Sequence, residues 1–424
     1  MVSNEESFRY ALKSSWALLL GFGILMLGDG LQGTLLAVRA DQEGFSATIT
    51  GLIMSSFYAG FLLGSILSPK ITANVGHIRV FAALAAIASA AILIHAVFVN
   101  IPLWIALRFM SGFCFAGLYI VAESWLNDRA TNESRGKLLS LYMVVSYIGV
   151  GAGQLLLNLA NPEEYLLFIL SSVLISIAVV PLLLSAGSPP AFKKSVRISL
   201  IDLTRLAPLG IVGMFGIGLV TATFFALGPV YGQRVGLDVE NISYFMTAAV
   251  LGTVLFQGPI GALSDKFDRR MVLTLVSLLT VITSIICVPV EMFHPEYLLL
   301  VVGLFGGLAF PLYSVCIAYT NDRLDPSQMI AASGALVLVG GLGAIIGPII
   351  IAIFMDQFGH EMFFLAMAAV HGFIVLFALL RMQRRSAIPL NRQKPSAPAA
   401  ARPSDYVVDG IQQYTLEEYK NDDD

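Results

Sequence analysis

Two ionisable residues stand inside otherwise apolar runs: Asp29 in GILMLGDGLQG and Arg108 in WIALRFMSGF. A charge held in hydrocarbon costs on the order of several kcal/mol, so each needs a partner, a water-filled cavity or a task. Asp29 lies about 14 residues into its run, about 21 Å along a helix, and Arg108 about six residues into its own, about 9 Å. If the two runs cross a hydrocarbon core of about 30 Å in opposite senses, those depths coincide. Two readings follow. In one, Asp29 is a carboxylate that takes up a proton or touches a solute, Arg108 is its counter-charge, and Gln32, one turn beyond Asp29, adds a neutral polar contact. In the other, the charges form a structural ion pair that ties two helices together. His95 and His371 read as packed or interfacial residues, and Gln154, Asn158 and Gln257 could touch a solute but are equally well explained by interhelical hydrogen bonds. Cys114, Cys287 and Cys316 lie in apolar runs without metal-ligand spacing and read as small core residues. No nucleophile elbow, phosphate-binding loop or metal cluster occurs, so the sequence predicts neither an enzyme nor a bound cofactor. Without a nucleotide-binding motif, energy must come from a gradient or from a solute itself.

These residues have to be positioned by a chain that is 57% hydrophobic and 12% charged over 424 residues, a composition that a soluble globule cannot hide. The net charge of -3 gives no basis for nucleic-acid binding. Twelve apolar runs are long enough to cross a bilayer. The first six are predicted over Ser15 to Val38, Thr48 to Pro69, Ile78 to Val99, Pro102 to Leu126, Gly136 to Leu159 and Tyr165 to Leu184. The second six are predicted over Leu206 to Tyr231, Ile242 to Leu263, Met271 to Met292, Glu296 to Tyr319, Ser327 to Met355 and Met362 to Met382. The expected fold class is an all-α membrane protein of two six-helix halves, 1–184 and 206–382, joined by a linker 185–205 and followed by a disordered tail 383–424. Basic residues collect on one side, from Arg9 and Lys13 through Lys70, Arg79, Arg135 and Lys193 to Lys266, Arg269, Arg270 and Arg323, whereas the other side holds Arg39 and Arg234. The positive-inside rule then places both termini and the linker in the cytoplasm.

The halves repeat. At an offset of 194, Leu118-Tyr119 matches Leu312-Tyr313 and Asn127-Asp128-Arg129 matches Asn321-Asp322-Arg323; Gly112, Gly149 and Gly153 meet Gly306, Gly343 and Gly347 without a gap. Small residues recur in any helical bundle, but packing alone would not reproduce a polar Asn-Asp-Arg loop.

The chain resembles the major facilitator superfamily from Ser15 to Met382. GALSDKFDRR, Gly261 to Arg270, is similar to the superfamily's Gly-x-Leu-Ala-Asp-Arg-x-Gly-Arg-Arg loop, with Asp265 in the acidic position and Asp268 in place of the second glycine. PKITANVGHIR, Pro69 to Arg79, is a degenerate copy with Ala73 in the acidic position. Arg108 and Gly112 are similar to an Arg-x-x-x-Gly pattern of proton-coupled members, and VGHIR, ESWLND and QGPIGALSDKFDRR together resemble the bacterial YcaD-like branch. The fifth run lacks the Gly-x-x-x-Gly-Pro pattern of antiporters, which appears instead at Gly343, Gly347 and Pro348.

The resemblance implies a proton-linked secondary transporter of a small organic solute in the bacterial inner membrane, working by alternating access and, by default, as a monomer. A proton-independent facilitator and a non-transporting sensor or scaffold are the alternatives. It puts the first, fourth, seventh and tenth spans on a central cavity, hence Asp29, Gln32, Arg108, Tyr119, Thr221, Thr223 and Tyr313 on its wall. It also implies a cytoplasmic gate of Asp265, Arg269 and Arg270 in one half and Arg79, Glu123 and Arg135 in the other. There Asp265 faces the start of the fifth span near Gly136, and Glu123 pairs with Arg79 or Arg135.

Overall fold

A computed structural model describes residues 4–129, 135–184, 200–324 and 326–384, together with 389 and 393. Most of the expected linker and nearly all of the expected tail therefore lie outside the described residues. Twelve helices are long and apolar enough to cross a membrane: α1 Ser15–Gln42, α2 Ala47–Val75, α3 His77–Val97, α4 Ile101–Asn127, α5 Lys137–Leu159, α6 Leu166–Leu184, α7 Pro208–Arg234, α8 Val239–Lys266, α9 Arg269–Phe293, α10 Pro295–Asn321, α11 Gly334–Phe358 and α12 Met362–Arg384. No strand occurs among the described residues. The twelve expected spans and their all-helical class are thus present. The physical reason is that hydrocarbon offers no partner for a backbone N–H or C=O, so an isolated spanning segment must satisfy its own as a helix.

Proline marks one departure from a continuous span. In α10 the chain forms two helices, Leu298–Ala309 and Leu312–Asn321, with Pro311 at the junction. Proline has no N–H to donate, and the local turn is closed instead by Ser314, whose backbone N–H and side-chain hydroxyl both donate to Pro311 O at 3.1 and 2.7 Å. Pro69, Pro229, Pro259, Pro289 and Pro348 are carried inside their helices.

The chain divides into two compact units: Met1–Lys194 with Phe225–Thr247, and Ser195–Phe224 with Ala248–Asp424. In the first unit α2 lies so close to α4 that a Cβ on Gly60 or Gly112 would collide with the backbone carbonyl of Phe109 or Phe57. In the second unit α8 meets α10 through Gly252 and Gly306, which press on the carbonyls of Gly303 and Ala249. Helices in lipid associate through such small-residue contacts because hydrophobic burial gives no advantage there. The same joint in both units agrees with the register that matches Gly112 to Gly306.

The loops that begin α3 and α9 end their preceding helices differently. Gly76 takes φ 97°, a conformation that favours glycine, and α3 starts at the next residue. Asp268 holds its place before α9 by accepting the Arg270 backbone N–H at 3.0 Å, a side-chain cap for the first turn.

Candidate functional site: buried polar groups in the two units

In the first unit, Asp29, Gln32 and Arg108 are all buried. Neither end of the Gln32 amide has a hydrogen-bond partner among the described residues. The Arg108 guanidinium lies 4.4 Å from the centroid of the Phe57 ring on α2. An arginine over an aromatic face gains from the ring's negative face while part of its water shell is lost. The sequence offers Asp29 as its counter-charge and contains no hint of this ring.

Tyr119 and Glu123, one helical turn apart on α4, enter an aromatic cluster with α1 and α5. The Tyr119 hydroxyl donates to Met26 Sδ at 3.0 Å, and its ring stands edge-on to Phe22 at 5.3 Å. Phe22 also packs on Tyr142, centroids 4.7 Å apart. The Tyr142 hydroxyl donates to Glu123 Oε1 at 2.7 Å, with both residues fully buried. Glu123 was expected to pair with Arg79 or Arg135. The structure gives it Tyr142, places Arg79 at the surface, and does not describe the side chain of Arg135. On α4, Glu123 is turned toward α5, where Tyr142 supplies a donor.

In the second unit Thr221, Thr223 and Tyr313 are buried, and the Thr223 hydroxyl has no partner among the described residues. The charges sit at the end of the unit. Arg269 is almost wholly buried and spans three acceptors: Asp265 Oδ1 at 2.9 Å, Asp322 Oδ1 at 2.6 Å and the Ala318 carbonyl at 3.0 Å. Arg270 pairs with Asp268 at 2.7 Å. Burial would raise the Asp268 carboxyl, but its hydrogen bonds to the Arg270 side chain and backbone, with the Arg270 charge, outweigh this and hold it below the ordinary carboxylate value. Asp322 is the residue that sequence reasoning missed. Its signal is present in the repeated Asn-Asp-Arg, where it reads only as a mark of duplication.

The remaining polar residues have structural partners or none. His95 Nδ1 lies 2.7 Å from the Ala91 carbonyl, whereas neither nitrogen of the buried His371 has a hydrogen-bond partner among the described residues. Cys114, Cys287 and Cys316 are buried and free. No group of three His, Cys, Asp or Glu side chains could hold a metal ion among the described residues.

Two helical units, each with the same small-residue joint and polar groups facing its interior, define a polytopic membrane-carrier architecture. The family model for the Major Facilitator Superfamily matches residues 18–247 and 210–416, and the chain belongs to that superfamily. It is a multi-pass membrane transporter, not an enzyme. A relative from Escherichia fergusonii, described as an uncharacterized MFS-type transporter YcaD, is 28% identical over 375 residues, covering 88% of this chain and 97% of the relative. Two solved structures share the fold. The nucleoside transporter NupG superposes with a TM-score of 0.74 at 14% identity, over 88% of this chain and 99% of its own. A bacterial homolog of the human lysosomal transporter Spinster, in an inward-facing and occupied conformation, gives 0.71 at 16%, over 88% and 97%.

Proposed function

We propose that the chain is a proton-coupled secondary transporter of a small organic solute, working by alternating access of halves 1–184 and 206–382, with both termini on the cytoplasmic side of a bacterial inner membrane. The observation that carries this reading is the set of buried polar groups on α1 and α4: Asp29, Arg108 and a Gln32 amide with neither end paired among the described residues. A buried unpaired amide costs about 1–3 kcal/mol. Water or a polar solute entering the bundle would relieve that cost, which is what a transport site offers. A solute that carries both a donor and an acceptor would satisfy Gln32 directly.

Two hydrogen bonds within the first unit support alternation. The Gln233 amide donates to the Val38 carbonyl, and the Thr247 hydroxyl to the Gly151 carbonyl, each at 3.3 Å. They join residues from different halves of the sequence and would have to break for a passage to open at that place. Orientation rests on the basic-residue asymmetry. The structure also accounts for one exception on the other side: Arg39 is held by Glu43 and by the backbone carbonyls of Pro162 and Glu163.

Solute counterflow in proteoliposomes, with and without a pH gradient, tests the proposal. Nucleosides form the first panel, because the structural neighbour NupG is a nucleoside transporter. Once a solute is found, Asp29→Asn should abolish proton-driven accumulation and leave exchange measurable. Accumulation by that variant would remove Asp29 from the coupling role. Topology is tested separately in a background without the three native cysteines. Leu237→Cys should react with an impermeant thiol reagent on intact cells and Ser195→Cys should not, and the reverse pattern would overturn the orientation.

A further inference from the structure

The second unit contains a cavity of about 580 Å³ whose lining belongs to α7, α11 and α12. Val212, Phe215, Leu342, Val370, Phe373 and Ile374 form most of its wall, and every residue around it is apolar. Phe373 and Leu342 are also exposed at the surface of the bundle, 58% and 39%. On helices that cross a bilayer such surface meets acyl chains, so the cavity opens toward lipid. A cavity with this lining gives a polar solute nothing to bind.

The chemistry changes toward one end. On α12, Arg381 follows Ile374 by two helical turns and so lies on the same side of the helix, while Arg384 lies on the side of Phe373. Arg205 stands just ahead of α7, upstream of Val212 in the chain. The short helix Leu200–Leu206 that carries it ends just before α7, and two backbone bonds span the junction, from Ala207 N to Leu203 O at 2.9 Å and from Ile211 N to Ala207 O at 3.2 Å. None of these three arginines forms an ion pair among the described residues. All three stand at the end of the unit where the basic residues of the sequence collect, in headgroup reach of a chain lying in the cavity.

The matching seam in the first unit is built otherwise. There α6 is fastened to α1 by the Ser171 hydroxyl donating to the Gly28 carbonyl at 3.2 Å. A Cβ on Gly21 would strike the Ala178 carbonyl. Gly216, the counterpart of Gly28, faces Val370 and Ile374 instead, so the second seam offers only apolar side chains to whatever enters it.

We propose that this seam is a binding site for an anionic glycerophospholipid, with one acyl chain in the cavity between α7, α11 and α12 and the phosphate on Arg205, Arg381 and Arg384. An apolar slot accepts the tail of any lipid, whereas unpaired arginines at its mouth select a headgroup with net negative charge. The site is separate from the buried polar groups of α1 and α4 and does not depend on what the protein transports.

Native mass spectrometry of the detergent-solubilised full chain tests this, with phosphatidylglycerol and phosphatidylcholine of identical acyl chains as the probes. Phosphatidylglycerol should be retained with a preference on the order of tenfold. The triple variant Arg205→Gln, Arg381→Gln, Arg384→Gln should lose that preference and still take up either lipid weakly. Ala369→Phe, which fills the cavity from a surface-exposed lining position, should reduce binding of both lipids. Equal retention of the two lipids by the wild-type chain would overturn the headgroup assignment. Binding of both lipids left undiminished by Ala369→Phe would overturn the placement in the cavity. Neither result bears on solute transport, so this proposal and the transport proposal fail separately.

Discussion

At matched positions the two halves use different chemistry to tie their helices. The register that aligns Asn127 with Asn321 also aligns Glu123 with Ile317, Ser124 with Ala318 and Tyr142 with Leu336. The first half therefore places a buried Glu123–Tyr142 hydrogen bond of 2.7 Å where the second half places two buried apolar residues. The loop register that aligns Ala73 with Asp265 pairs His77 with Arg269. His77 Nε2 lies 2.8 Å from Ser124 Oγ, and Arg269 Nη1 lies 3.0 Å from the carbonyl of Ala318, the residue matching Ser124. One half closes this corner with an imidazole and a hydroxyl, the other with a permanent cation between two carboxylates. A duplicated scaffold thus keeps a contact site while its chemistry drifts, provided each buried polar group still finds a partner.

The largest test of this contrast is Arg269→Ala. It would take the Arg269 guanidinium away from Asp322, whose side chain is only 2% exposed, a loss of about 3–5 kcal/mol. Thermal unfolding in detergent should show a larger fall in midpoint for it than for any substitution at Tyr142, Asp268 or Asp265, with Arg269→Lys falling between it and wild type. A midpoint within a degree of wild type would mean that the relay contributes nothing.

The first half is probed by importing the second half's solution. Tyr142→Phe alone should cost about 1–3 kcal/mol because it removes a partner from a buried carboxylate. The pair Glu123→Ile with Tyr142→Leu should recover most of that loss, since replacing both partners by apolar groups is close to neutral. If the double variant is less stable than the single one, Glu123 has a role beyond this tie.

Asp268 gives a pH-dependent version of the comparison, because the matching residue, Gly76, cannot titrate. A carboxyl whose folded value is depressed adds stability above its unfolded value of about 3.9 and loses it as pH falls through the lower folded value. Asp268→Asn should therefore cost about 1 kcal/mol at pH 7, as loss of the Arg270 pair and a weakened helix cap would. The gap between variant and wild type should close below about pH 4. A gap that persists in acid would assign the effect to shape and not to charge. The smallest effect belongs to Asp265→Asn. That carboxylate is 38% exposed and pairs across a single helical turn with Arg269, which keeps Asp322, so about 0.3–0.5 kcal/mol is expected.

Much of this protein is legible in the order of its amino acids. The twelve spans, their helical class and the duplication all follow from that order, because a hydrocarbon layer of about 30 Å converts run length into helices and penalises every unpaired backbone group. The interruption of α10 at Pro311 and the cap at Asp268 are local matters that the sequence contains but that its hydropathy does not report. The identity of side-chain partners is different in kind. That Glu123 meets Tyr142, that Arg108 rests on Phe57 and that Arg269 reaches Asp322 depends on how helices rotate against one another. This rotation is set by small-residue contacts such as Gly60 and Gly112 against the carbonyls of Phe109 and Phe57, between segments far apart in sequence. Periodicity names the faces of a helix, and only the tertiary structure decides which neighbour each face meets.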